Sequence, residues 1–181
     1  MNKYLLILIS LLSFSISQAA QVDLKKSNFE WKATKKLGSF HYGNIFLKSA
    51  KAELKDNNIV AGEFVMDMKT FTVTDLTGKK QTDFLGHVKS GDFFEVEKFQ
   101  EAKLVIEKQT GDTVTGKLTI KDKTEPVTVK FTKADKTYTG TLTFDRTKFG
   151  IVYNSGNFFK DLAAEKVINN DVEVKFTVVL N

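Results

Sequence analysis

Hydrophobic and polar residues alternate along most of the chain after residue 27, with the two-residue period typical of β-strands that bury one face. In the first such segment Phe29, Trp31 and Ala33 share one face, and charged or polar residues share the other. Segments with the same period follow at 43–55, 59–69, 102–106, 114–120, 127–131, 138–144 and 172–180. The pattern therefore predicts eight strands, joined largely by short turns.

An antiparallel arrangement of eight strands either packs as a sandwich of two sheets or closes into a barrel. Closure is the better prediction because it removes the exposed edges that long strands would otherwise present to other chains. Gly62, Gly116 and Gly140 stand in the apolar phase of their strands, where the missing side chains would leave space inside the barrel. We predict an all-β fold, an eight-stranded antiparallel barrel with an interior cavity.

Two segments lack the strand period. Residues 76–94 carry apolar side chains at helical spacing after Thr82 and Asp83, a pair that can cap the start of a helix. Residues 156–167 are rich in aromatic and charged residues but do not alternate. We expect one or two short helices or loops that cover an opening or a side of the barrel.

The first residues follow a different pattern. One lysine at position 3 precedes an apolar run from Leu5 to about Ile16, and small residues stand at positions 17 and 19. This order is typical of a secretory signal, with cleavage predicted after Ala19 or, as the alternative, between residues 20 and 21. The run is shorter than the roughly 20 residues that cross a bilayer, so no stable membrane span is expected. We predict a signal peptide over 1–19, one domain over 20–181, and a periplasmic or secreted protein.

Composition and charge narrow the range of partners. The chain has no cysteine, which excludes disulfides and thiol chemistry. Its formal net charge is +5, and lysines and acids are interspersed along the strands instead of clustered. That distribution is typical of a solvated surface and not of a nucleic-acid groove. We predict no nucleic-acid partner.

The stretch 86–100 holds the residues that most resemble acid–base machinery, since His87 precedes a fringe of carboxylates that begins at Asp92. The chain has two histidines, however, and neither lies in a metal-binding HxH or HExxH spacing. No nucleophile and base are paired by spacing either. Phe93 and Phe94 would anchor this amphipathic segment to the core while its acids face water. We predict no catalytic residue, no metal site and no cofactor.

The apolar face of the strands is predicted to surround the interior, which in an eight-stranded barrel is either packed by side chains or holds one slender ligand. The predicted tunnel-lining residues are Trp31, Phe64, Met66, Leu104, Leu118, Val129, Leu142, Phe144, Val174 and Phe176.

Arg146 follows Phe144 in the same apolar phase, so its guanidinium is expected inside the barrel, where it needs a partner. That partner is either a carboxylate such as Asp67 or Asp145, or an acidic or amide head group of a ligand. The further polar candidates for ligand contact are His41, His87 and Tyr153.

Four ordered segments resemble the YceI family of exported bacterial lipid-binding proteins. They are GEFVMDMKTF, GHVKSGDFFEVEKFQEAKL, GKLTIKDKTEPVTV and FDRTKFGIVYNSG, and the resemblance extends from about Phe29 to Leu180. The residues that fall on the family's H-x-x-S-x-D-F and R-x-x-F-G segments are His87, Ser90, Asp92, Phe93, Arg146, Phe149 and Gly150. Val88 and Gln100 depart from the family's usual leucine and proline.

The resemblance implies an elongated, lipocalin-like barrel with a long apolar tunnel. Family members are associated with polyisoprenoids or long-chain fatty amides, and several form dimers. The leading hypothesis is therefore non-enzymatic binding, transport or sequestration of a long-chain apolar lipid, with a homodimer among the expected states. The alternative is an envelope stress or protein-interaction module whose barrel is packed solid. A lipid hydrolase or isomerase is the least supported reading.

Overall fold

The computed structural model describes residues 17–56 and 58–181, in which ten strands, one α-helix and two short 3-10 helices are formed. The strands are β1 (Gln18–Gln21), β2 (Asn28–Lys35), β3 (Phe40–Asn44), β4 (Phe46–Lys55), β5 (Asn58–Asp67), β6 (Glu101–Thr110), β7 (Thr113–Ile120), β8 (Lys123–Ala134), β9 (Thr137–Asp145) and β10 (Ile168–Val179). The helix α1 spans Gly78–Lys89, and the 3-10 helices span Met68–Thr70 and Arg146–Phe149. No helix among the described residues is long and apolar enough to cross a membrane.

All ten strands belong to one sheet, in the order β1-β4-β5-β6-β7-β8-β9-β10-β2-β3, and every pair is antiparallel. Only Ile45 separates β3, at one end of this order, from β4 near the other end. The Ile45 N–H donates to the carbonyl of Phe29 at 3.1 Å, and Val22, just after β1, bridges to Leu180 beyond β10. The sheet therefore curls until its two ends meet.

The predicted class, an antiparallel lipocalin-like barrel, is confirmed, but the predicted count of eight strands is wrong. The alternating segment 43–55 contains a break at Ile45, where the chain leaves its pairing with β2 and begins to pair with β5. The sequence is less regular around that break, where residues 45–47 are all apolar, but it contains no turn signal, so the two strands read as one. The four-residue β1 is too short to display a period.

The predicted signal peptide lies largely outside the described residues, since the structure describes nothing before residue 17. The predicted cleavage point after Ala19 falls within β1, where Ala19 pairs with Glu53 of β4. The signal peptide therefore stays a prediction.

The helix predicted in 76–94 is present, but it begins earlier than Thr82 and Asp83 indicated. Thr77 is the N-cap of α1, and the Asp83 carboxylate instead pairs with Lys79 one turn before it at 2.7 Å. Residues 156–167 form turns without a helix. The acidic residue that resembled a cap thus serves as an exposed i,i+4 partner, a pairing common on helix surfaces.

The three glycines predicted to empty the interior serve a different purpose, since none of them lies on the cavity wall described below. A Cβ on Gly116 would stand 2.1 Å from the carbonyl oxygen of Val105, and one on Gly140 would stand 2.4 Å from that of Lys130. A Cβ on Gly62 would meet the Phe64 ring at 3.3 Å. At Gly116 and Gly140, the missing side chain permits close approach of a neighbouring strand.

We predict that Gly116→Ala lowers the free energy of unfolding by about 1–3 kcal/mol, the usual cost of overpacking, because β6 and β7 must separate to admit the methyl group. Gly86→Ala is the control, since its Cβ meets nothing within 4 Å on an exposed turn of α1. The control should stabilise the protein by up to about 1 kcal/mol through helix propensity. Urea denaturation followed by circular dichroism measures both, and equal midpoints for Gly116→Ala and the wild type would contradict the prediction.

Candidate functional site

The curled sheet and α1 surround an apolar cavity of about 240 Å³. For comparison, an apolar cavity of about 150 Å³ is large enough to bind benzene. All ten residues predicted from the strand period lie on its wall, namely Trp31, Phe64, Met66, Leu104, Leu118, Val129, Leu142, Phe144, Val174 and Phe176. They lie together because alternate residues of a strand point to the same face of the sheet.

The wall also contains residues that sequence reasoning did not select. Phe29, Ile106 and Val178 occupy the same phase of their strands as the predicted residues, so extending the alternation would have found them. Phe84 and Val88 come from α1. The strand period carries no information about which helix residues face the cavity.

Stacked aromatic rings cover the end of the barrel beside α1. The Trp31 ring stacks on Phe71 with centroids 4.6 Å apart and on Phe84 of α1 with centroids 6.1 Å apart. The indole Nε1–H donates to the Thr72 carbonyl at 2.9 Å, which satisfies the one polar group of a side chain that is 4% exposed. Trp31 thus joins the barrel wall to both the helix and the segment that precedes it.

His41, one of the polar candidates for ligand contact, lies on the cavity wall and is held there by Asp75. Its Nδ1 is 2.7 Å from one oxygen of the Asp75 carboxylate, whose other oxygen accepts the Tyr42 N–H at 3.0 Å. Burial opposes ionisation of this carboxyl, but the hydrogen bonds from Tyr42 and His41 outweigh it and hold the pKa of Asp75 below its ordinary value. A charged carboxylate therefore ties β3 to the segment that precedes α1.

Arg146 also lies on the cavity wall and is 2% exposed, but the expected ion pair with Asp67 or Asp145 is absent among the described residues. Its guanidinium donates instead to three backbone carbonyls, those of Ile151 at 2.8 Å, Ile168 at 3.0 Å and Asn169 at 3.1 Å.

The Asp145 carboxylate accepts from Thr147, which explains why it is not the partner of the guanidinium. Burial lowers the pKa of Arg146 to about 10, against the opposing attraction of Asp145. The side chain therefore remains a cation at neutral pH.

His87 and Tyr153 lie together behind the cavity wall and are not part of it. The His87 ring packs edge-on against Tyr153 and Phe93, with centroids 4.6 and 5.1 Å away. Its Nε2 is 3.0 Å from the Asp92 carboxylate, which is 59% exposed. This placement gives no support to a contact between either predicted residue and a ligand in the cavity. It does match the expectation that Phe93 faces inward while the nearby acids face water.

Tyr138 is a polar wall residue that the sequence did not single out, because it stands in the same phase as the apolar residues of β9. Its side chain is 3% exposed, and its hydroxyl has no hydrogen-bond partner among the described residues. It lies at the start of β9, opposite Val178, whereas Arg146 follows the end of that strand. Tyr138 thus places a buried, unsatisfied hydroxyl at the end of the barrel farther from Arg146.

We predict that Arg146→Met lowers the free energy of unfolding by about 2–4 kcal/mol, because one buried and two partly buried carbonyls lose their donor, at a net cost of about 1 kcal/mol each. Lys148→Met in the same 3-10 helix is the control, since Lys148 is exposed and its loss should change stability by less than about 0.5 kcal/mol. Thermal and chemical denaturation measure the difference. An Arg146→Met protein as stable as the control would show that these hydrogen bonds contribute nothing.

No group of three or more potential metal ligands occurs among residues 17–56 and 58–181. The candidate site is therefore a largely apolar cavity with two histidine–carboxylate pairs near it. The pair of His41 and Asp75 is at the wall, and the pair of His87 and Asp92 is outside it.

Comparisons with known proteins agree with this architecture. BcnA of Burkholderia cenocepacia has a similar structure, with a TM-score of 0.65 and 25% sequence identity over 89% of this chain and 100% of BcnA. Two structures of mutant CJ YceI proteins, one with a monobromobimane guest, have TM-scores of 0.53 at 12% and 13% identity, over 100% of this chain and 99% of theirs. No curated protein sequence matches this chain. Residues 20–180 match the model of the YceI-like domain, and the chain therefore belongs to the YceI-like family.

Proposed function

We propose that the protein binds one long-chain apolar lipid, of the polyisoprenoid or fatty-amide type, and carries or sequesters it without changing it chemically. The observation that carries the proposal is the apolar cavity of about 240 Å³ within the barrel. Burial of a hydrocarbon chain there is favourable by about 25 cal/mol per Å² of apolar surface, before the cost of ordering the ligand. Membership of the YceI-like family supports the same conclusion.

The alternative, an interaction module with a solid barrel, is less well supported because a solid core would leave no such volume. A catalytic function is also less well supported by the described residues. His41 and His87 each bond to a carboxylate, and the hydroxyl of Ser90 donates to the backbone carbonyl of His87 and not to its ring. A hydrolase that uses a serine or threonine nucleophile activated by histidine would require that hydroxyl to bond to a ring nitrogen.

The proposal includes export and dimerisation. The apolar segment before residue 17 supports export through a cleaved signal peptide, which would bring the protein to the periplasm or the medium. N-terminal sequencing of the protein from its own host locates the cleavage, and native mass spectrometry of the same material measures the oligomeric state.

Tyr138 supports a fatty amide over a pure hydrocarbon. A buried hydroxyl without a partner costs free energy that a hydrogen bond to the ligand would recover, and an amide supplies both an acceptor and donors. The ligand would then lie with its amide toward Tyr138 and its chain toward α1.

The first prediction from this proposal concerns lipid uptake. Wild-type protein purified without detergent should carry a stoichiometric long-chain adduct in native mass spectrometry, and Leu142→Glu should abolish it by placing a charge on the apolar wall. Thr141→Glu and Thr143→Glu are matched controls, since these neighbours are exposed and should retain the lipid.

Because Leu142→Glu is a buried charge and could unfold the protein, Leu142→Phe serves as a second variant that fills the cavity with apolar atoms and should reduce uptake. A clean apo mass for the wild type that persists after addition of polyisoprenoid and fatty amide would contradict the proposed function. Full uptake by both folded variants would contradict the placement of the ligand.

The second prediction concerns the head group. Tyr138→Phe should weaken binding of a medium-chain fatty amide about fivefold, equivalent to about 1 kcal/mol for one hydrogen bond, and leave the alkane of equal length unaffected. Displacement of a fluorescent fatty probe measures both affinities. An equal change for the two ligands would mean that the hydroxyl does not recognise the amide.

A further inference from the structure

Exposed apolar side chains are concentrated at one end of the barrel. Six large hydrophobic side chains are exposed among the described residues, and four of them lie in two segments. Leu37 and Phe40, in the hairpin between β2 and β3, are 65% and 48% exposed, and Phe158 and Phe159, in the turns before β10, are 57% and 47% exposed. We call these four residues the portal patch.

The two segments are neighbours in the structure. The Lys36 N–H of the hairpin donates to the carbonyl of Val167 at 3.0 Å, and Lys35 pairs with Ile168 in the sheet. A Cβ on Gly156, two residues before Phe158, would lie 3.3 Å from the Val167 side chain. The apolar residues of the hairpin and of the turns therefore belong to one surface.

This surface adjoins the opening of the cavity. Phe40, Lys35 and Ile168 all lie on the cavity wall, and nearly half of the Phe40 side chain is exposed to solvent. The wall thus reaches the molecular surface at the portal patch. A ligand that leaves the cavity beside Phe40 would pass directly over the exposed rings.

Lysines surround the portal patch. Residues 31–42 contain Lys32, Lys35 and Lys36 and no acidic residue, and the Lys32 ammonium lies 4.7 Å from the centre of the Phe40 ring. In the second segment, Lys160 and Lys166 are balanced by two acids, Asp161 and Glu165.

None of these five lysines forms an ion pair within the described part of the chain. The patch is therefore apolar at its centre with an excess of positive charge around it.

We propose that the portal patch docks on the surface of a bilayer rich in anionic lipids, so that a lipid passes between that bilayer and the cavity. Exposed Phe and Leu side chains insert at the boundary of head groups and acyl chains, and lysines attract anionic head groups. A protein partner fits less well, since lysine is depleted at protein interfaces. The role in lipid passage rests on the proposed function, whereas docking on the bilayer does not.

Vesicle flotation tests the proposal with the mature protein. The wild type should bind vesicles of phosphatidylglycerol and phosphatidylethanolamine at least tenfold more tightly than vesicles of phosphatidylcholine, and salt should weaken this binding. Phe158→Ser with Phe159→Ser, and separately Lys36→Glu with Lys160→Glu, should each weaken binding at least tenfold.

Matched controls are available elsewhere on the surface. Leu24→Ser with Phe46→Ser removes the two exposed hydrophobic side chains outside the portal patch, and Lys108→Glu with Lys130→Glu makes the same change of charge at exposed strand positions. The control without the two exposed hydrophobic side chains should bind vesicles as tightly as the wild type. The charge control has the same net charge as the Lys36→Glu and Lys160→Glu variant, and it should bind vesicles more tightly than that variant.

The proposal is overturned if the wild type does not bind anionic vesicles, or if portal and control variants bind equally. It is also overturned if the portal substitutions convert a dimer to a monomer in light scattering without changing vesicle binding, since the patch would then be a contact between two copies. Equilibrium uptake of lipid from solution separates this proposal from the proposed function. The portal variants should take up as much lipid as the wild type. If neither the wild type nor any variant takes up lipid, the proposed function is contradicted but docking on the bilayer is not.

Discussion

The structure depends on closing a curled sheet around apolar atoms without leaving backbone groups unpaired at its edges. An unpaired buried N–H or carbonyl costs about as much as a lost hydrogen bond, and an exposed edge invites pairing with other chains. The free edge of β3 is covered by the segment between the first 3-10 helix and α1, where the N–H groups of Thr72 and Thr74 donate to Asn44 and Tyr42 at 2.9 Å each.

That covering segment explains why a glycine stands in β3. A Cβ on Gly43 would lie 2.1 Å from the carbonyl oxygen of Thr72, the same oxygen that accepts the Trp31 indole. The backbone of the segment therefore lies against β3 at a distance that only glycine permits, and Trp31 holds it there. The contact between Gly43 and Thr72 therefore fixes three features: the segment that covers the edge of β3, the aromatic end of the cavity and the start of α1.

The strand period predicts the cavity wall because the direction of a side chain is set by its neighbours in the strand. Once Leu142 faces inward, Phe144 two residues later faces inward, and so does Val174, which pairs with Leu142 on β10. The partners of polar residues are not local. Arg146 was placed correctly on the wall, but its three carbonyl partners belong to the chain that follows it, up to Asn169, and no spacing rule predicts them. The position of His87 could not be predicted because the orientation of α1 depends on the rings that it covers, and that of Tyr153 because it lies in an irregular turn.

The empty cavity has an energetic consequence for ligand binding. Empty apolar volume in a protein core costs about 24 cal/mol per Å³, so a cavity of about 240 Å³ represents a cost of about 6 kcal/mol that a bound chain would offset. A ligand that binds only the folded state also stabilises it by mass action. The stability of the fold and the occupancy of the cavity are therefore coupled, and an apolar ligand that fills the space between Trp31 and Val178 would serve as part of the core while it is bound.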